Sequence, residues 1–349
     1  KQKTAYEIPK RDWSSDVCSS DLVPGLATGI GSLPGDDPER AVETVFAEVP
    51  RLPFAPQLPN RSPREGMLAQ WLEVLPEVTV APDGSIVVDV AAAHGAPTLH
   101  IDPDAHAGLV AFLDAAVHRA EDVPRLKVQT TGPLTLGVAL MEAGLPADLA
   151  FERAQVCATA WAQPLQSVVE RRLPATRLLL FVDEPALVTW RDGDGPIARD
   201  EATDLLSSVL AGVRGTPGVH VCGSGDLRLA LDAGPRVVHF DVAELDVDDA
   251  APLGRFLDAG GWVAWGAVPT HGPVGEHPQP LWKVLVDTWC ELTKRGCDSA
   301  RLRTQALVAP ACGLAGHGVS QSERALALAH EIGYRVHCQV AAARLSVGA

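Results

Sequence analysis

Positive charge is what this sequence has least of relative to its size. Against 44 aspartates and glutamates it carries 29 lysines and arginines, a formal charge of −15 over 349 residues. A surface that binds DNA, RNA or an anionic membrane needs a basic patch, so none of these is expected as the main partner. Long hydrophobic runs are missing as well: no stretch reaches the roughly 18 apolar residues of a membrane span. The first residues include lysines but no apolar core of a secretory signal, and the expected location is the cytoplasm. Seven cysteines in a chain of this length are too few for a disulfide framework and read as reduced thiols. Tyrosine is scarce, with two residues, while Ala, Gly, Pro, Val and Leu dominate; this reflects high-GC coding and not function. Helical repeats, heptads and low-complexity tracts are absent, and "GIGSLPG" does not match the GxGxxG fingerprint of dinucleotide-binding sheets.

What is present is a rhythm. From about residue 26, apolar and β-branched runs alternate with helical patterns. Strands are expected at 26–34, 85–91, 125–133, 176–185, 218–223, 236–242, 261–269 and 302–313. Helices are expected near 146–171, 199–213, 225–233, 250–259, 280–296 and 320–334. Near-continuously apolar strands interleaved with helices imply a parallel sheet covered on both faces. Eight such strands fit a single-domain (β/α)8 barrel over 23–349, with a doubly wound open sheet as the alternative. The proline-punctuated segment 48–66 is expected to run over the barrel mouth as a loop or short hairpin.

In a barrel, chemistry collects at the C-terminal strand ends. Those ends carry Ser32, then "TGP" at 131–133, Asp183 with Glu184, His220 with Cys222, Asp241, His271 and Cys312. His220 and Cys222 are two apart on a strand, so they share a face and together offer half of a tetrahedral zinc site. Asp241 and Cys312 end later strands and converge on the same mouth. The competing reading is that the two cysteines are small buried hydrophobes. Of the adjacent carboxylates Asp183 and Glu184, at most one projects inward, where it suits a cation such as a substrate ammonium; a helix cap is the alternative. Cys157, Cys290 and Cys338 fall on helical patterns among apolar residues, and Cys297 in a polar loop. His94, His100 and His106 have no ligand spacing.

"TGIGSLPG", "TTGPLTL", "VDEPAL", "HVC", "GAVPTHG" and "PACGL" occur in an order that resembles the catalytic domain of cobalamin-independent methionine synthase. The likeness spans roughly 26–335 and is to the single-barrel relatives, whose fold is shared with uroporphyrinogen decarboxylase. It implies a zinc-dependent methyltransferase that S-methylates homocysteine to methionine. The implied zinc ligands are His220, Cys222, Asp241 and Cys312, with Glu244 as fallback for Asp241, since the family's carboxylate is usually Glu. Ile30, Gly31 and Ser32 are implied to take the substrate carboxylate, Asp183 its ammonium, and His271 to aid proton transfer to the leaving group. The family's second ammonium-binding Glu falls on Arg61, a cation that suits an anionic thiol better. The partners implied are a small-molecule thiol and a methyl donor, a folate or a corrinoid carrier. The alternatives are alkyl transfer to another thiol, a zinc- or thiol-binding barrel without turnover, and a decarboxylase that has no need of the "HVC" and late-cysteine set.

Residues 13–22, "WSSDVCSSDL", the body of "DWSSDVCSSDL" at 12–22, resemble a common short-read sequencing adapter translated in frame. Residues 1–22 are therefore expected to be an assembly artefact, with Cys18 outside the functional set.

Overall fold

The computed structural model describes residues 22–347. The expectation for the adapter-like stretch lies outside the described residues, except at its last position, where Leu22 is buried.

The sheet that organises the chain has six parallel strands, in sequential order. After a short antiparallel hairpin of β1 (Val78–Val80) and β2 (Ile86–Val88) come β3 (Arg125–Thr131), β4 (Arg177–Asp183), β5 (Thr216–His220), β6 (Val237–Asp241), β7 (Trp262–Val268) and β8 (Ala306–Pro310). Eleven α-helices accompany them among the described residues. They are α1 (Pro38–Glu48), α2 (Ala69–Leu72), α3 (Ala107–His118), α4 (Pro133–Glu142), α5 (Ala147–Arg172), α6 (Arg199–Ala211), α7 (Leu227–Asp232), α8 (Ala250–Asp258), α9 (Pro278–Lys294), α10 (Arg301–Thr304) and α11 (Val319–Val347). All six helices expected from periodicity are present, as are all six expected strands from 125 onward.

Two expectations are corrected. The run 85–91 is no strand of the main sheet; only Ile86–Val88 pairs, antiparallel to β1, and it is half-exposed. Three β-branched residues suffice for a surface hairpin but not for a buried strand. The proline-rich segment is more than a loop. Phe54 bridges Lys127 of β3, and Gln57 bridges Ser32, both parallel. Ala27 in turn bridges Val308 of β8. Backbone hydrogen bonds therefore run from β8 to 25–28, from 31–33 to 57, and from 53–55 to β3. Pro53 and Pro56 hold extended φ values but have no N–H to give, so pairing here is reduced to single bridges. Gly29 is equally specific, since a Cβ there would lie 2.3 Å from the Phe54 ring.

The core is divided in two. The larger part lies between sheet and helices. The smaller, built from Leu22, Leu26, Leu52, Leu179, Phe181, Val237, Trp262, Ala264 and Leu307, fills the N-terminal end of the curl's interior. Going toward the C-terminal ends, the inward positions turn polar: Val237, His239 and Asp241 on β6; Phe181 and Asp183 on β4; Gly218, His220 and Cys222 along and just after β5. Period-two alternation puts these on one face.

Candidate metal centre at the strand ends

Register brings the polar residues together. Asp183, His220 and His239 are successive partners in one row across β4, β5 and β6. Cys222 follows β5 by two residues and Cys312 follows β8 by two. His220, Cys222 and Cys312 offer ligand atoms that all lie within 4.8 Å of one another. The two Sγ atoms are 3.2 Å apart, and Cys312 Sγ is 3.9 Å from His220 Nε2. Among the described residues this is the one group of three or more His, Cys, Asp or Glu with metal-ligand spacing. The donor set, an imidazole and two thiols, suits a soft or borderline divalent metal.

The thiols are not equivalent. The contact between the two Sγ atoms holds the Cys312 thiol below its ordinary range; the same contact and burial push Cys222 up.

The sequence-predicted residues around this group fall as follows. Asp241 is buried, and its Oδ1 accepts from the Ala243 N–H at 2.9 Å. It lies outside the three-residue group but close enough to raise the Cys222 thiol further. Burial raises its own carboxyl above the usual range. Glu244 is exposed, on the wall of a cavity of about 550 Å3 that it shares with Asp241, Val221 and Phe240. His271 sits exposed in the loop after β7, and its charge is felt at Asp241.

Asp183 is 7% exposed, and its Oδ1 is buried with no hydrogen-bond partner. Burial lifts its carboxyl to about 6, against the pull of Lys127 and His220. Glu184 faces the other way. It accepts from the Leu134 N–H at 2.9 Å, the Thr135 N–H at 2.8 Å and the Thr135 hydroxyl at 2.6 Å, closing the N-terminus of α4. The pair therefore splits: Asp183 faces inward, and Glu184 caps α4, which precedes it in the chain, and not the helix that follows. Gly132 makes room for the cap, since a Cβ there would lie 2.1 Å from Glu184 Oε1.

Ile30, Gly31 and Ser32 line the same end. Ile30 O accepts from Lys127 Nζ at 2.5 Å, and Lys127 also donates to Gln129 Oε1 at 3.0 Å. A Cβ on Gly31 would be 2.6 Å from Gln129 Nε2, so only glycine lets this turn approach β3. Ser32 O accepts from the Leu314 N–H at 2.9 Å, tying the turn to the Cys312 segment. Arg61 is engaged elsewhere in its loop: its guanidinium donates to Glu65 Oε1 at 2.7 Å and to Asp104 Oδ1 at 2.8 Å. With two carboxylates on it, Arg61 contributes no net positive charge to the strand ends, which corrects the charge argument drawn from its position.

Two buried groups were not singled out in the sequence. Lys127, fully buried and with its amine lowered to about 8 by burial, braces the Ile30 carbonyl and faces Asp183 electrostatically. His239 contacts His220. The signal for His239 was present: it precedes Asp241 by two and so shares its face. The remaining cysteines fall on the expected elements, Cys157 on α5, Cys290 on α9, Cys338 on α11 and Cys297 in the loop after α9. Cys290 and Cys338 are exposed because their helices turn that face to solvent, while Cys297 is buried and donates to Ala250 O at 3.1 Å. Cys157 is buried as expected.

No protein-family model matches the chain, and no curated protein sequence does. Among solved structures, a B12-independent methionine synthase from a Shewanella species, in complex with selenomethionine, superposes with a TM-score of 0.64. The identity is 12%, over 91% of this chain and 99% of that one. Two structures of a GH113 β-1,4-mannanase align at TM-scores of 0.40 and 0.42 and 11% identity, over 88% and 91% of this chain and 98% and 99% of theirs. The first likeness shows the fold to be of the methionine synthase kind; the mannanase scores are too low to carry weight. No helix among the described residues is long and apolar enough to cross a membrane.

Proposed function

We propose that the protein is a zinc-dependent S-methyltransferase acting on a small amino-thiol, with homocysteine as the leading acceptor. The observation that carries this reading is the convergence of His220, Cys222 and Cys312 at the strand ends, beside the buried, unpartnered carboxylate oxygen of Asp183. The bridged segments 25–33 and 53–58 are then the first two strands of a (β/α)8 barrel. His220, Cys222 and Cys312 would hold the metal, with Asp241 as the adjacent carboxylate and Glu244 behind it. Zinc bound there would stabilise the substrate thiol as its thiolate at neutral pH, ready to attack a methyl group.

The chain's own groups account for the rest. Asp183 Oδ1 would accept from the substrate ammonium, replacing a missing hydrogen bond with a charge-assisted one. The turn Ile30–Ser32, held down by Lys127, would face the substrate carboxylate. His271, exposed in its loop near Asp241, would give a proton to the leaving nitrogen if the methyl carrier is a folate; a corrinoid carrier would depart without one. Because Arg61 is matched by Glu65 and Asp104, the anionic-thiol alternative has no structural support over homocysteine.

Metal analysis of purified protein tests this directly. About one equivalent of zinc is expected, with loss of most of it in Cys312→Ser and Cys222→Ser. Homocysteine should raise the melting temperature of the zinc-loaded chain and not of Asp183→Asn. A wild-type chain that neither retains nor takes up zinc would overturn the reading.

A further inference from the structure

His220 can serve as a metal ligand through Nε2 only if its proton sits on Nδ1. An imidazole in water favours neither nitrogen strongly enough to guarantee this, so something in the fold must decide it. The deciding group is on the neighbouring strand.

His239 is the register partner of His220 and is 1% exposed. Its Nε2 lies 3.0 Å from the carbonyl oxygen of Pro310. A carbonyl oxygen only accepts, so His239 Nε2 must carry a proton. A neutral imidazole has one N–H, which leaves His239 Nδ1 bare. That bare nitrogen is 2.7 Å from His220 Nδ1. Two bare nitrogens would repel at this distance. The contact is a hydrogen bond only when His220 Nδ1 donates, which places the bare lone pair of His220 on Nε2, toward Cys312 Sγ at 3.9 Å. His239 is fully buried and its hydrogen-bond partners are a carbonyl and a second imidazole, so a charge on it would be buried without a carboxylate partner; the neutral ring is the one the surroundings accommodate. The opposite arrangement, with His239 charged and donating from both nitrogens, would reverse the proton on His220 and put a buried cation against it.

We propose that His239 is a positioning residue. Through a two-step hydrogen-bond relay from the Pro310 carbonyl it fixes His220 in the Nδ1–H tautomer and aims Nε2 at the cysteine pair. Pro310 stands two residues before Cys312 on the same segment. The relay therefore links the strand that supplies one thiol to the strand that supplies the imidazole. A change in register of β8 would disturb both the Cys312 position and the His220 tautomer. Histidine ligands of metals generally owe their orientation to such an acceptor; here the acceptor is a second imidazole instead of a carboxylate or carbonyl. The inference rests on the metal-site reading for its purpose, and on the hydrogen bonds alone for its content.

Two measurements separate those. Side-chain 15N–1H correlation spectra of the reduced, metal-free chain should show His220 protonated at Nδ1 and His239 at Nε2, assigned by comparison with His239→Asn. A proton on His220 Nε2 would refute the proposal whether or not zinc binds. In chelator competition, His239→Phe should bind zinc about 10- to 100-fold more weakly than wild type. His239→Asn keeps an acceptor near the Nδ1 position and should restore most of the affinity, at a melting temperature no higher than that of the Phe variant. Equal affinity in His239→Phe and wild type would overturn the proposal. Absence of zinc binding by the wild type would overturn the functional reading, and the spectra alone would then decide the tautomer.

Discussion

Asp183 concentrates the energetics of the site at the scale of single residues. A carboxyl at about 6 instead of its ordinary 3.8 binds protons more tightly folded than unfolded. Stability should therefore be fullest below about pH 4 and fall as pH rises toward 6. For this fully buried group the loss is on the order of 3 kcal/mol. Chemical denaturation of the metal-free chain at several pH values should show this slope, and Asp183→Asn should flatten it. Ligand binding runs the other way. An ammonium needs the ionised carboxylate, so affinity for an amino-thiol should rise with pH through about 6. Asp183→Asn should weaken it by about 10-fold or more, the worth of a charge-assisted hydrogen bond. Calorimetric titration across that range checks both. At this scale the sequence was informative: the two-residue spacing of His220 and Cys222 and the polar strand ends named the cluster. Lys127 stayed hidden because a lone lysine in an apolar run acquires meaning only from the atoms opposite it, whereas the two-residue spacing of His239 and Asp241 was a signal the sequence did carry.

At the scale of elements, the junction of β4 and α4 is the clearest case. Glu184 closes three donors at the start of α4 while its neighbour faces the site. Glu184→Ala strands those donors in a buried position and should cost about 2 kcal/mol or more, seen as a lowered denaturation midpoint. Zinc content should be kept, since the Glu184 side chain bonds to α4 and its backbone N–H bond to His220 O, 3.0 Å, survives the substitution. Gly132→Ala should be at least as damaging, because its Cβ would overlap the same carboxylate. The strands and helices after residue 125 were legible because each pairs an apolar run with an amphipathic one at a regular interval. The first third was not. Prolines and glycines between 25 and 60 break the period-two pattern, and pairing there survives only as single bridges to β3 and β8.

For the whole molecule, the interior is graded from an apolar floor, Leu179, Val237 and Leu307 among it, to the ligand group at the open end. Residues 1–21 belong to the stretch expected from the sequence to be an assembly artefact. Their deletion should leave zinc content unchanged and shift the melting temperature by no more than about 2 °C, under 1 kcal/mol for a chain this size. The sequence by itself determined the α/β alternation, the helix positions and the residue types at the strand ends, because these follow from local periodicity and chain order. Which of Asp183 and Glu184 faces inward, how Arg61 is neutralised, and which nitrogen of His220 is bare were decided only by the tertiary structure. The first and last depend on register between strands far apart in the chain, where a shift of one residue would turn the side chains to the opposite face; Arg61, in a turn, depends on where the segment carrying Asp104 lies.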